Sequence, residues 1–190
     1  MRSISGVIAT LLLLAAFTGC DNNEEAFPDA AFKACVEKRL KDYSGFDGKD
    51  YKIENDNDLE VIKILACGGG GISSIKGSER LLNVQTLALN QNQIESVEPL
   101  RHLKKLELLN IATNKIVDLE PLAEASSLRN INIMGNYVKD ILPLSPLKNL
   151  RDLYVKNNCI VDASQFDTLR TAIPELSIWD EDIQDPSRCQ

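Results

Sequence analysis

Five cysteines, one histidine, a run of four glycines and a short acidic stretch are the groups of this 190-residue chain whose chemistry invites a function. An odd number of cysteines cannot all pair, so one needs another role. His102 is the single imidazole, which removes multi-histidine metal sites and leaves one candidate general base. Gly68-Gly69-Gly70-Gly71 invites a phosphate-loop reading, but no Gly-Lys-Ser/Thr follows, and Gly77-Ser78 lacks the lysine. Glu54-Asn55-Asp56-Asn57-Asp58 is faintly like a calcium loop yet has no central glycine or distal glutamate, so a solvated cap loop is the better reading. Carboxylates are plentiful, but nothing brackets a pocket. No catalytic residue, metal ligand or cofactor is expected, and the chain is read as no enzyme.

Composition moves attention from single groups to the elements behind them. The net charge of -7 argues against a nucleic-acid partner, which needs basic groups to displace phosphate counterions. Charged residues at 26% and hydrophobic ones at 44% fit a folded domain. Leu (26) and Asn (15) are in excess while Phe, Tyr and Trp make up only 5%. That imbalance points to a repeated unit rather than one compact core.

Self-comparison finds the unit. Blocks of 22 residues starting at Val84, Leu106, Leu128 and Leu150 put Leu87, Leu109, Ile131 and Leu153 in one column. Leu89, Ile111, Ile133 and Val155 share the next apolar column, followed by Asn92, Asn114, Asn136 and Asn158. Ile94, Ile116, Val138 and Ile160 come after the asparagines, and Pro99, Pro121 and Pro143 follow further on. Alternation such as Leu87-Ala88-Leu89 has the two-residue period of a half-buried strand. A carboxamide both donates and accepts, so an Asn at the bend can satisfy backbone groups that would otherwise be buried unpaired. Stacking neighbouring coils then places these asparagines in a ladder. Degenerate repeats flank the array: Ile62, Leu65, Cys67 and Gly70 (in the Asn column) before it, and Ile173, Leu176 and Ile178, displaced by one residue, after it.

The pattern L-x-x-L-x-L-x-x-N-x-I at this period resembles the leucine-rich repeat, and the Pro-Leu pair seven residues after the Asn resembles the internalin-type subclass. The resemblance implies an α/β solenoid: a short, curved, right-handed coil with a parallel β-sheet on its concave face and a helical N-terminal cap. Phe27-Pro28-Asp29-Ala30-Ala31-Phe32 is similar to the start of that cap, and Phe27, Phe32, Cys35, Val36 and Leu40 predict a helix over 27–41.

The first twenty residues read as an address. Arg2 precedes an apolar run from Val7 to Phe17, too short to span a bilayer, and Phe17-Thr18-Gly19-Cys20 resembles a bacterial lipobox. The resemblance implies acylation of Cys20, which becomes the first residue of the mature protein and anchors it to a lipid bilayer. Asp21 resembles an inner-membrane retention signal, which favours the inner membrane and a domain facing the periplasm; the outer membrane or surface is the alternative. Expected boundaries are a signal peptide over 1–19, a tether over 20–26, the cap over 27–61, repeats over 62–180 and a closing segment over 181–190. Losing Arg2 takes the net charge to -8.

With Cys20 lipidated, four cysteines remain, and export makes disulfides possible. The expected pairs are Cys35 with Cys67 and Cys159 with Cys189, each tying a cap to the solenoid. The rival reading, a metal site, lacks any C-x-x-C.

Strand residues pointing away from the core are expected in three columns on the concave face. Thr86, Leu108, Asn130, Asp152 and Glu175 form the first; Ala88, Asn110, Asn132, Tyr154 and Ser177 the second; Asn90, Ala112, Met134, Lys156 and Trp179 the third. Asn110, Asn132, Met134, Asp152, Tyr154, Lys156 and Trp179 are the candidate binding face, because exposed Trp and Tyr are favoured at interfaces. The expected function is a monomeric, membrane-anchored protein-interaction module of the cell envelope whose partner is a protein or peptide. An adhesin-like surface module and a glycan binder, with Tyr154 and Trp179 as stacking platforms, are the alternatives.

Overall fold

The protein's structure, a computed structural model, describes residues 27–44, 53, 55–179, 184, 185, 187 and 189. The expectations for the signal peptide, Cys20 and Asp21 lie outside these residues, as do Glu54 and much of the closing segment. Among the described residues no helix is long and apolar enough to cross a membrane.

Six three-residue strands form one parallel sheet in chain order. They are β1 (Ile64–Ala66), β2 (Thr86–Ala88), β3 (Leu108–Asn110), β4 (Asn130–Asn132), β5 (Asp152–Tyr154) and β6 (Ser177–Trp179). The central residues of β1 to β5, Leu65, Leu87, Leu109, Ile131 and Leu153, are buried, while their neighbours face outward. From Thr86 to Asp152 each strand pairs with the residue 22 positions on. The chain returns through 3₁₀ segments, three of which carry Pro99, Pro121 or Pro143 in their first turn. Proline suits that place because its φ is already fixed and the missing N–H would have had no partner there.

The last repeat departs from the expected register. Asp152 pairs with Ser177 and Tyr154 with Trp179, so Ser177 belongs to the first column and Trp179 to the second, and Glu175 stands outside the strand. The displacement relative to the period of 22 is three residues, not one. Its cause is α2 (Ser164–Ala172), an α-helix where earlier coils return through shorter 3₁₀ segments. Because the error is two residues, the outward face of β6 is unchanged.

Each ladder asparagine bonds two coils. The Asn136 Oδ1 accepts from Ile116 N at 3.0 Å, and its Nδ2 donates to Ile111 O and Ile133 O at 2.9 and 2.8 Å. Asn92, Asn114 and Asn158 repeat this pattern, always reaching back to the preceding coil. Gly70 occupies the same column in the first coil, where no earlier coil needs serving. The position before each ladder residue is left-handed: Gly69, Gln91, Thr113, Gly135 and Asn157 have φ of 70°, 58°, 56°, 68° and 57°. A second polar column, which the period did not reveal, lies where the chain enters the strands. There Asn83, Ser127 and Asn149 donate to the Glu60, Lys104 and Ser126 carbonyls of the preceding coil.

The interior of the stack is aliphatic, and among the described residues buried phenylalanines appear only at its ends: Phe27 and Phe32 in the cap, Phe166 on α2. The cap helix α1 (Ala30–Ser44) starts later than expected because Pro28 and Asp29 precede it. Asp29 is its N-cap, with Phe32 N donating to Oδ1 at 3.0 Å, and its Oδ2 accepts from Ser73 N, Ser73 Oγ and Ser74 N of the first coil. Partial burial pushes this carboxyl up, but those four hydrogen bonds together hold it below the ordinary carboxylate range. Arg39 covers the free edge of the sheet by donating from Nε to Ile64 O at 2.9 Å. Cys35 is bonded to Cys67 and Cys159 to Cys189, with Cα separations of 5.9 and 5.7 Å. At the far end Asp185 N and the Gln184 side chain bond the backbone of Asn158, so the tail lies along the last full repeat.

Candidate interaction surface

Parallel strands leave alternate side chains on the open face of the sheet, where neighbours in one column are about 4.8 Å apart. The second column runs Ala66, Ala88, Asn110, Asn132, Tyr154, Trp179 from β1 to β6. Its aromatic end is built, not accidental. The Tyr154 and Trp179 rings stack with centroids 6.0 Å apart and planes 13° from parallel. Trp179 remains 48% exposed, so it is not core of the closing segment. Its Nε1 donates to Asp152 Oδ1 at 3.0 Å, and Asn130 Nδ2 donates to the other carboxylate oxygen at 3.2 Å.

Two asparagines complete the centre. Asn110 Oδ1 accepts from Ala112 N at 3.1 Å and Asn132 Oδ1 from Met134 N at 3.0 Å. They line a shallow groove of about 270 Å³ with Thr86, Ala88, Leu108, Asn130 and Tyr154. Met134 and Lys156 are half-buried in the third column, beyond this groove. Thr86, Ala88, Leu108 and Asn130 line the groove but are absent from the expected binding set. The strand period places all four on this face, but nothing in the sequence shows that Asn130 reaches Asp152.

Other groups singled out by their chemistry have structural employment. Asp56 is ion-paired to Arg80, whose guanidinium also lies over the Phe27 ring, and Asn55 and Asp58 cap each other in a 3₁₀ turn. The calcium-like stretch is therefore a cap fastening. The glycine run forms the first bend, with Gly69 and Gly71 left-handed. His102 is exposed at the end of the 3₁₀ segment Glu98–His102 and borders a depression of about 580 Å³ with Glu79, Glu95 and Glu98. Among the described residues no three His, Cys, Asp or Glu converge as metal ligands. Arg101 joins adjacent coils by donating to Glu98 and Glu124, and these bonds hold both glutamates below the ordinary carboxylate range.

Comparison with known proteins agrees with this architecture. Residues 82–124 match the family model described as Leucine Rich repeats (2 copies). No curated protein matches the sequence. Among solved structures, an internalin (InlF) from Listeria monocytogenes aligns at 27% identity with a TM-score of 0.68, over 82% of this chain and 50% of that one. A leucine-rich-repeat protein of Leptospira interrogans aligns at 24% identity with a TM-score of 0.59, over 64% of this chain and 32% of that one, which shows a shared fold. The chain thus spans about half the length of the internalin it matches or less of the second structure. The repeats of this chain are leucine-rich repeats, and its solenoid is internalin-like.

Proposed function

We propose that the protein is a non-catalytic, lipid-anchored interaction module of a bacterial envelope that binds a protein partner through the open face of its sheet. Leucine-rich-repeat proteins generally act by binding other proteins through such extended surfaces. The observation that carries the reading is the exposed Trp179, stacked on the half-buried Tyr154 and held by Asp152. Rigid aromatics lose little conformational entropy on binding, which is why they dominate contact energies. The anchor rests on Thr18-Gly19-Cys20 and its resemblance to a lipobox, with Asp21 favouring the inner membrane.

Crosslinking and co-purification from the native envelope tests the reading. Tyr154→Ala with Trp179→Ala should lose the partner while the melting temperature stays within a few degrees of the parent; undiminished capture would refute the assigned face. Cys20→Ala should move the protein out of the membrane fraction. Protease treatment of intact cells distinguishes a periplasm-facing module from an adhesin-like one, because only the latter is cleaved.

A further inference from the structure

The polarity of the groove can be read atom by atom. A backbone N–H must meet an oxygen, so the Ala112 and Met134 amides fix Asn110 and Asn132 with Oδ1 turned to the backbone. Both Nδ2 groups are left facing the groove, and among the described residues neither has a partner. The two asparagines sit in one column on adjacent strands, whose backbones are about 4.8 Å apart. Asn130 is fixed the opposite way. Its Nδ2 donates to Asp152 Oδ2, which leaves Asn130 Oδ1 as the acceptor available to the groove. Tyr154 adds one ring face as an end wall, since Trp179 covers the other, and Leu108 and Ala88 supply apolar floor.

Charge narrows the ligand further. Among the described residues no cation lines the groove, so a carboxylate or phosphate would meet an acidic protein with no counter-charge. Among the described residues no carboxylate lines it either; Asp152 stands outside the lining, with each oxygen accepting one bond from Trp179 or Asn130. A suitable ligand is neutral, accepts from two neighbouring amides, donates to a third, and has an apolar face for an aromatic ring. A hexopyranose meets all four conditions: its hydroxyls both donate and accept, and the C–H face of the ring packs on Tyr154.

We infer that this groove holds a neutral hexopyranose residue, so that the partner is recognised partly through a sugar it carries. The inference rests on the open face being the interaction surface and adds what the centre of that face reads.

The test is a titration of the ¹⁵N-labelled protein with methyl β-glucoside, methyl α-mannoside, methyl β-galactoside and N-acetylglucosamine. Glycerol and N-acetylglutamine amide serve as controls, and the side-chain amide signals of Asn110, Asn130 and Asn132 are followed. At least one pyranoside should shift these signals saturably while glycerol does not. Tyr154→Ala and Asn132→Ala should each weaken that binding about tenfold, as expected for losing one packed contact or hydrogen bond, whereas Asn83→Ala on the opposite column should leave it unchanged. Absence of a shift with every pyranoside, an equal shift with glycerol, or a shift only with N-acetylglutamine amide would overturn the inference. Partner capture by the Tyr154 and Trp179 variants is scored separately, so a groove that ignores sugars on a face that still captures its partner sinks this inference alone.

Discussion

Asp152 and Trp179 lie 27 residues apart in sequence, on neighbouring strands, and the carboxylate holds the indole N–H at 3.0 Å. The same carboxylate orients Asn130, so one side chain organises both the aromatic wall and an amide of the groove. Charge-assisted hydrogen bonds of this kind are roughly twice as strong as neutral ones. Asp152→Ala should release both. Trp179 is the single tryptophan, so its fluorescence reports the change without interference. The emission should move to longer wavelength and become more accessible to iodide, and partner capture should weaken. The cost in stability should stay within about 1 kcal/mol because the pair is at the surface. Unchanged quenching would show that Asp152 does not hold the ring.

The asparagine ladder should be the most sensitive polar feature of the fold. Asn136→Ala removes a fully buried carboxamide and strands the amide of Ile116, while the carbonyls of Ile111 and Ile133 lose one of two donors and keep Asn114 and Asn158. A loss of about 2 kcal/mol is expected from a buried amide left without its acceptor, measurable as a lower urea midpoint. Gly70→Asn in the same column should change stability by less than about 0.5 kcal/mol. A Cβ there meets only ordinary contacts, the nearest being Ile72 Cγ1 at 3.6 Å, and no earlier coil awaits the amide.

The fastening of the cap should depend on pH through Asp29. Its carboxyl is held below the ordinary range in the folded state. The stability it contributes is therefore fully present above the unfolded value, near pH 4, and is lost as pH falls through the lower folded value. Asp29→Asn should lower the melting temperature at pH 7, and the gap from the parent should narrow as pH drops from about 4 to 2. A gap constant across that range would mean that the charge of Asp29 does not matter.

Thr113 carries local strain. It is β-branched, yet it takes φ of 56° in a column where other coils use Gly, Gln or Asn. Left-handed backbone costs an L-residue roughly 1–2 kcal/mol, less for asparagine. Thr113→Asn should therefore raise stability by about 0.5–1 kcal/mol, seen as a higher melting temperature with the same slope in urea. A decrease would mean that the threonine methyl packs well enough to offset the strain.

The period of 22, the buried columns and the asparagine ladder were legible in the residues because stacked coils repeat one environment. Any position that departs from its column is visible by comparison with three others. Register was lost where that repetition stopped. The apolar residues Ile173, Leu176 and Ile178 gave no measure of how many residues α2 absorbs, and Trp179 was placed one column too far. The column Asn83, Ser127 and Asn149 is hidden from the period because its members differ in type while making the same bond to the coil before.

Five cysteines and scattered asparagines, read by type, said that two bridges were available and that a polar face existed. Pairing itself is a matter of distance, and the stack brings Cys35 to Cys67 and Cys159 to Cys189 across 32 and 30 residues. The open face shows the same division. Alternation along a strand determines which residues point outward, so the sequence alone assigns Asn110, Asn132, Tyr154 and Trp179 to that face. Which way each amide points, and that Asp152 locks Trp179 against Tyr154, are decided by atoms on neighbouring coils. Hydrogen bonds between coils depend on three-dimensional register, and only the folded stack supplies that.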